Sequence, residues 1–185
     1  MPAPDSRTAT AFIGNPHFNA ANRTKATIRW IVIHDMESSE GAKTARNVAA
    51  YFALPTTRAS AHYNVDATEI IQCVREKDVA WHAPGLSSRS IGVEHAGRAS
   101  QTAAEWDDPY SRAMLKLSAT LFADLAKRYD IPAVFINAKG LLAGTPGITT
   151  HAEVTKAWHK STHSDPGPNF PTTAFLASIR AAMKT

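Results

Sequence analysis

Residues 28–36 read IRWIVIHDM, a run of β-branched, aromatic and other apolar side chains that carries His34 near its end. This density of β-branched and aromatic residues is typical of a buried strand. A histidine at the end of such a strand is well placed to act as a ligand. The stretch therefore predicts a core strand with a potential functional residue at its end.

Strand and helix patterns alternate along the rest of the chain. Two short apolar segments joined by a turn predict a β-hairpin, and a third segment predicts a further strand: residues 60–66, 69–76 and 90–97. Amphipathic segments predict helices, the longest of them with a continuous apolar stripe: residues 41–54, 109–131 and 172–185. This mixed order predicts an α/β fold, a central mixed β-sheet flanked by helices.

Length and composition are those of a soluble globular protein forming a single domain over residues 1–185, with 44% hydrophobic and 19% charged residues. No apolar run approaches the roughly 20 residues that cross a bilayer, so we expect no membrane insertion. The lone Cys73 excludes an internal disulfide and is expected in the core, as are Trp30 and Trp81. The N-terminal residues lack the basic and apolar regions of a secretory signal, which predicts synthesis in a cytoplasm.

The net charge of +4 and the sequence pI near 9.3 suit a polyanionic partner. Lysine and arginine are not concentrated in the dense runs expected of a nucleic-acid-binding arm. Charge alone therefore leaves both nucleic acid and an anionic cell-wall polymer open.

Residues 131–171 contain little regular pattern, and long irregular stretches in compact domains are usually functional. They include His151, His159 and the segment HSDPGPNFP, which holds His163 and Asp165. Together with His34, these side chains supply the ligand types of a catalytic zinc site, which uses three protein ligands. No HExxH-type signature is present, so spacing alone leaves a metal site and a chance scatter of the eight histidines both open.

Six segments, in this order, resemble the zinc-dependent N-acetylmuramoyl-L-alanine amidases of the phage-lysozyme and peptidoglycan-recognition type (amidase type 2): IVIHDM, SAHYNVD, VAWHAPG, SIGVEHAG, ITTHAEV and HSDPGPNFP. The resemblance covers about residues 28–171. It implies one zinc ion per chain, held by His34, His151 and Asp165, with the prolines fixing Asp165 toward the metal. It also implies hydrolysis of the amide between N-acetylmuramic acid and L-alanine, and hence cell-wall lysis, by a monomer whose partner is peptidoglycan rather than nucleic acid.

The same resemblance implies roles for residues around the metal. Glu94 is the candidate proton shuttle, although an edge-strand carboxylate paired with a cation is the plainer interpretation of its position. His163 is the candidate stabiliser of the oxyanion. Substrate contacts are expected from three side chains: His62, Asn64 and His82. One branch of the family has a tyrosine where Ala61 stands here, and Tyr63 should point to the opposite face of its strand from His62, which makes a tyrosine-assisted mechanism doubtful.

Two other functions compete with that of a cell-wall amidase. Non-catalytic peptidoglycan-binding relatives keep the fold and typically lose the third ligand, so the presence of Asp165 favours an enzyme. A cytoplasmic amidase that recycles anhydro-muropeptides would prefer soluble fragments to intact sacculi. Without an export signal, the sequence favours a phage endolysin catalytic domain that reaches the wall through a membrane lesion.

Overall fold

The computed structural model describes residues 2–185. These residues form eight short strands: β1 (Ala11–Phe12), β2 (Phe18–Asn19), β3 (Trp30–Asp35), β4 (Tyr63–Val65), β5 (Ile70–Gln72), β6 (Val79–Ala80), β7 (Ser90–His95) and β8 (Gly147–Thr150). The helices are α1 (Thr44–Phe52), α2 (Pro109–Tyr129), α3 (Ala138–Leu142), α4 (His151–Trp158) and α5 (Thr172–Ala182). Within the described residues, no helix is both long and apolar enough to cross a membrane.

Six strands form a mixed sheet in the order β1-β5-β4-β7-β3-β8, and β2 and β6 pair separately. Strand β3 runs parallel to both of its neighbours, β7 and β8, whereas β4 and β5 form the antiparallel hairpin. The predicted buried strand and the predicted mixed sheet are confirmed. Because the register pairs His34 with Glu94, these two side chains lie on the same face of adjacent strands.

One face of the sheet packs against α2 and α5. This larger core contains alternate residues of β3 and β7 together with apolar residues of both helices: Ile31, Ile33, Ile91, Val93, Leu121, Phe122, Phe175 and Ile179. Helix α2 begins after Asp108, whose side chain accepts a hydrogen bond from Ser111 N at 2.7 Å, and has Pro109 in its first turn. The long helix predicted from its apolar stripe therefore supports the sheet from behind.

The opposite face carries the remaining residues of β3, which alternate with the first set. Trp30 and Val32 pack with Val154 of α4 and Leu141 of α3, while α1 covers the hairpin strands with Ala45 and Ala49. Between these two helical covers the ends of β3 and β7 remain open to a cavity. The sheet thus presents His34 and Glu94 in the gap between α1 and α4.

Residues 131–171, where the sequence has little regular pattern, contain β8, α3 and α4. Strand β8 completes the sheet beside β3, and α4 follows it without an intervening loop. The Thr150 hydroxyl accepts a hydrogen bond from Glu153 N at 3.3 Å and caps the helix. This direct strand-to-helix transition places His151 in the first turn of α4, beside the end of β3.

Candidate metal centre and active site

Three side chains from three separate segments meet above the end of β3. His34 comes from β3, His151 from the start of α4, and Asp165 from the loop that precedes α5. One potential ligand atom of each lies within 4.8 Å of the other two, and all three residues are buried. Asp165 Oδ2 is 3.0 Å from His34 Nδ1, and Asp165 Oδ1 is 3.1 Å from His151 Nδ1. Two imidazole nitrogens and a carboxylate oxygen are a donor set that suits zinc.

The backbone holds Asp165 against α4. Its carbonyl oxygen accepts a hydrogen bond from Ala152 N at 3.0 Å, in the first helical turn, directly after His151. In the same loop, Gly167 has a φ of +84°, and an added Cβ would lie 2.0 Å from the carbonyl oxygen of Ala99. Glycine is therefore required there, both for its positive φ and for the close approach of another backbone segment.

Unpaired acceptor atoms surround this cluster. Three buried carboxylate oxygens have no hydrogen-bond partner within residues 2–185: Asp35 Oδ2, Glu94 Oε2 and Asp165 Oδ1. Burial lowers the pKa of His34. A neutral imidazole next to an ionised carboxylate is the protonation state that binds a cation, so the residues fit a divalent metal.

Glu94 and Asp35 add two more carboxyl groups to the floor of the cavity. Burial, followed by the charges of Asp165 and Asp35, raises the pKa of Glu94 well above its usual value. Burial is also the main reason why the pKa of Asp35 rises to about 7. Sequence reasoning did not single out Asp35. Its signal was its place directly after His34 at the end of a buried strand.

His163 lines the same cavity from the loop before Asp165. Its ring stacks on His151 with centroids 4.6 Å apart and planes 10° apart, and its Nδ1 is 3.5 Å from Asp165 Oδ1. The side chain is 64% exposed, in contrast to the three buried residues of the cluster. His163 therefore faces the space that a substrate would occupy.

The structure corrects the substrate-binding roles expected of His62 and Asn64. His62 is fully buried, with Nε2 2.7 Å from Arg23 Nη2 and Nδ1 accepting from Gly92 N at 3.0 Å. Asn64 is also fully buried and donates to Ala45 O at 3.2 Å, and neither side chain lines the cavity. Both hold the sheet and its covering segments together.

His82 does reach the cavity floor, but its ring nitrogens are already engaged. Nδ1 lies 3.0 Å from His34 Nε2, and Nε2 lies 3.1 Å from Ser90 Oγ. Burial, and then the neighbouring imidazole of His34, hold the pKa of His82 well below its ordinary value, so the ring is neutral. His82 thus lines the cavity, as predicted, while both of its ring nitrogens have protein partners.

Tyr63 is confirmed to face away from the site. Its hydroxyl donates to Glu76 on the α2 side of the sheet, and the side chain is fully buried. Burial and the Glu76 carboxylate raise the pKa of this phenol well above its usual value. Tyr63 therefore takes no part in proton transfer at the cavity.

The cavity has a volume of about 900 Å³ and an aromatic rim on one side. Tyr51, Phe52 and Trp81 line this rim, with Arg58 beside them, while Lys160 lies on the side of the His163 loop. Trp81 was expected in the core but is 39% exposed. Its indole N–H donates to Asn19 Oδ1 at 3.1 Å, which fixes the ring at the cavity mouth. The rim was missed because exposure depends on which segments cover a residue.

Three ligand-type side chains at the base of an open cavity define the class as a protein with a candidate catalytic metal centre. Comparison with known proteins identifies the family. Residues 24–168 match the family described as N-acetylmuramoyl-L-alanine amidase, and the chain belongs to that family.

Individual relatives agree with this assignment. N-acetylmuramoyl-L-alanine amidase A of Achromobacter lyticus is 34% identical over 114 residues, which cover 60% of this chain and 56% of that protein. The chain thus spans little more than half the length of this curated relative. The fold is similar to the Staphylococcus aureus hydrolase AmiA, solved in complex with its ligand, with a TM-score of 0.71, 18% identity, and coverage of 100% of this chain and 87% of that one. A mutant endolysin from Bacillus subtilis gives a TM-score of 0.62 and 20% identity, covering 92% of this chain and 99% of that chain.

Proposed function

We propose that this chain hydrolyses the amide between N-acetylmuramic acid and L-alanine in peptidoglycan, using one zinc ion held by His34, His151 and Asp165. The observation that carries the proposal is the buried His–His–Asp cluster at the floor of the cavity, within the family-matched residues. Peptidoglycan is the partner in this proposal, the chain acts as a monomer, and nucleic acid is not a partner.

Zinc fits these residues by number and type of ligand. The two Nδ1 atoms and the Asp165 carboxylate already face one another, and the orphaned Oδ1 of Asp165 is an acceptor that a cation would satisfy. A zinc ion held there supplies Lewis acidity to the scissile carbonyl and to the attacking water. Its positive charge also offsets the mutual repulsion of Asp165, Glu94 and Asp35.

The chain's own residues supply proton transfer and charge stabilisation. Glu94 Oε2 is buried, unpaired and beside His34, so it accepts the proton of the attacking water and passes it to the departing amine nitrogen. His163, in its protonated form, presents an N–H and a positive charge to the carbonyl oxygen as negative charge develops on it. Stacking on the His151 ring holds the His163 ring beside the metal-binding residues.

Substrate contacts are assigned to the cavity rim. The exposed faces of Trp81 and Tyr51 provide apolar platforms for the substrate, because aromatic rings pack well against flat apolar surfaces. Arg58 and Lys160 line the cavity as cations, and they suit the carboxylates of a stem peptide. These four residues replace His62 and Asn64 as the proposed contacts.

A cell-wall amidase is favoured over the two alternatives. A binding module has no need of three buried ligand atoms within 4.8 Å of one another. The proposed setting is that of an endolysin that reaches the wall through a membrane lesion, whereas a recycling amidase would act on soluble anhydro-muropeptides.

End-group analysis of digested substrates tests this proposal. Purified sacculi should gain new L-alanine amino termini and no new reducing sugars, at a higher rate than soluble anhydro-muropeptides are cut. New reducing sugars would instead indicate a glycosidase. Binding to sacculi without new end groups would indicate a non-catalytic module, and a preference for soluble fragments would indicate recycling.

A further inference from the structure

We propose that His82 is a positioning residue that holds His34 in the tautomer whose bare Nδ1 faces Asp165 and is ready to bind metal. The inference rests on the proposed metal centre and adds a role for a residue that touches neither metal nor substrate. A directional chain of hydrogen bonds carries it, running from His34 through His82 and Ser90 to a backbone carbonyl.

The backbone carbonyl at the end of this hydrogen-bond series sets the direction of each hydrogen bond in it. The carbonyl oxygen of Leu86 can only accept, so the Ser90 hydroxyl donates to it at 3.0 Å. Ser90 Oγ then accepts from His82 Nε2–H at 3.1 Å. Neither ring nitrogen of His82 has a carboxylate partner, so the ring carries a single proton, on Nε2, and its Nδ1 accepts. His34 Nε2, 3.0 Å away, must therefore carry the proton and donate it.

This assignment leaves His34 Nδ1 without a proton, 3.0 Å from Asp165 Oδ2. Two acceptors at this distance repel each other, and a cation between them makes the contact favourable. His151 has the matching arrangement, with Nδ1 toward Asp165 and Nε2 3.3 Å from Ser161 Oγ. Orientation of a metal-binding histidine through its second ring nitrogen commonly sets both tautomer and affinity.

The sheet is shaped to receive the His82 ring. A Cβ added at Gly92, in β7, would lie 2.5 Å from Cγ and Nδ1 of His82. The φ of Gly92 is not positive, so other residues could adopt its backbone conformation. Glycine is required there because any side chain would collide with the His82 ring. The ring lies over this bare position between Ser90 and Glu94, which fixes it against His34.

Zinc affinity of the full chain, measured by competition with a chromophoric chelator, tests the role. We expect His82→Ala to weaken zinc binding by about 10–100-fold, the usual effect of losing such a partner. His82→Asn places an amide oxygen near the position of Nδ1 and should restore most of the affinity. His82→Gln reaches toward Ser90 instead and should resemble His82→Ala. The exposed His159, changed to Asn, is the matched control and should bind zinc as the parent does.

A second readout uses zinc-free protein, so it does not depend on the metal or on activity. Nitrogen-15 shifts of the imidazoles should show His34 protonated at Nε2 in the parent and a mixture of tautomers in His82→Ala. A His34 protonated at Nδ1 in the parent would overturn the inference, as would His82→Ala with parental zinc affinity or His82→Asn no better than His82→Ala. If the parent binds no zinc, the proposed metal centre fails, and the tautomer of His34 still decides the role of His82.

Discussion

Asp165 is the residue on which both histidines of the metal cluster converge. We expect Asp165→Ala to lose zinc affinity and turnover together, because two histidines form an incomplete ligand set. Zinc content after dialysis and the rate of sacculus digestion measure the two effects. Asp107→Ala, which removes an exposed carboxylate, is the matched control. Full activity of zinc-free Asp165→Ala would refute the ligand role.

Glu94 should separate catalysis from metal binding. Glu94→Gln keeps the shape of the side chain but cannot accept a proton, so zinc content should match the parent while turnover falls by roughly 10²–10⁴-fold. Metal analysis and digestion rates on the same preparation check this. If Glu94→Gln digests sacculi at the parental rate, the proton passes through another group, and Asp35→Asn becomes the informative variant because Asp35 lines the same floor.

For individual residues, the resemblance to a family identified the three side chains that the structure brings together. Their spacing in the sequence did not identify them. Neither the family resemblance nor the sequence spacing predicted the orientations of His82 and Trp81. Both belong to an irregular segment, where no strand or helix period fixes the direction of a side chain. Their surroundings come from distant segments, namely β7 under His82 and residues 17–19 beside Trp81.

Among the secondary-structure elements, β3 and α2 were predictable because a dense apolar run and a long apolar stripe are strong local signals. Strand β8 and helices α3 and α4 have only 4, 5 and 8 residues, which is too short for a period to stand out. The order of the strands in the sheet also could not be predicted from the sequence. Parallel pairing of β3 with β7 and β8 joins residues that are far apart in the chain.

Glu76 joins the end of the β4–β5 hairpin to α2. Its buried carboxylate accepts from Arg128 at 2.5 and 2.6 Å, from Tyr129 at 2.5 Å, and from the Tyr63 hydroxyl. We expect Glu76→Ala to lower the free energy of unfolding by about 3–5 kcal/mol, because it leaves Arg128 with Asp124 alone and the hydroxyls of buried Tyr63 and half-buried Tyr129 without an acceptor. Urea unfolding measures this, with the exposed Glu105→Ala as control. Equal stability of the two variants would contradict the assignment.

For the whole molecule, buried neutral histidines set the response to acid. Burial lowers the pKa of His95 from 6.5 to about 4. Between pH 6.5 and about 4, His95 binds a proton in the unfolded chain but not in the folded chain. The free energy of unfolding is therefore highest above pH 6.5 and decreases as the pH falls toward 4. From His95 alone the loss is about 3 kcal/mol.

Urea unfolding of metal-free protein between pH 7.5 and 4.5 checks this prediction. His95→Gln removes the titrating group and should give a shallower loss of stability with acid than the parent. Burial also lowers the pKa values of His34, His62 and His82, so the variant keeps part of the slope. Identical slopes in parent and variant would show that His95 is not the group responsible.

Amide hydrolysis in peptidoglycan should depend on one zinc ion held by His34, His151 and Asp165. The most direct measurement is the rate at which L-alanine amino termini appear in purified sacculi as zinc is titrated into metal-free protein. We predict no release without metal, and a rise that levels off at about one zinc per chain. Full release by the metal-free protein would show that hydrolysis does not require zinc.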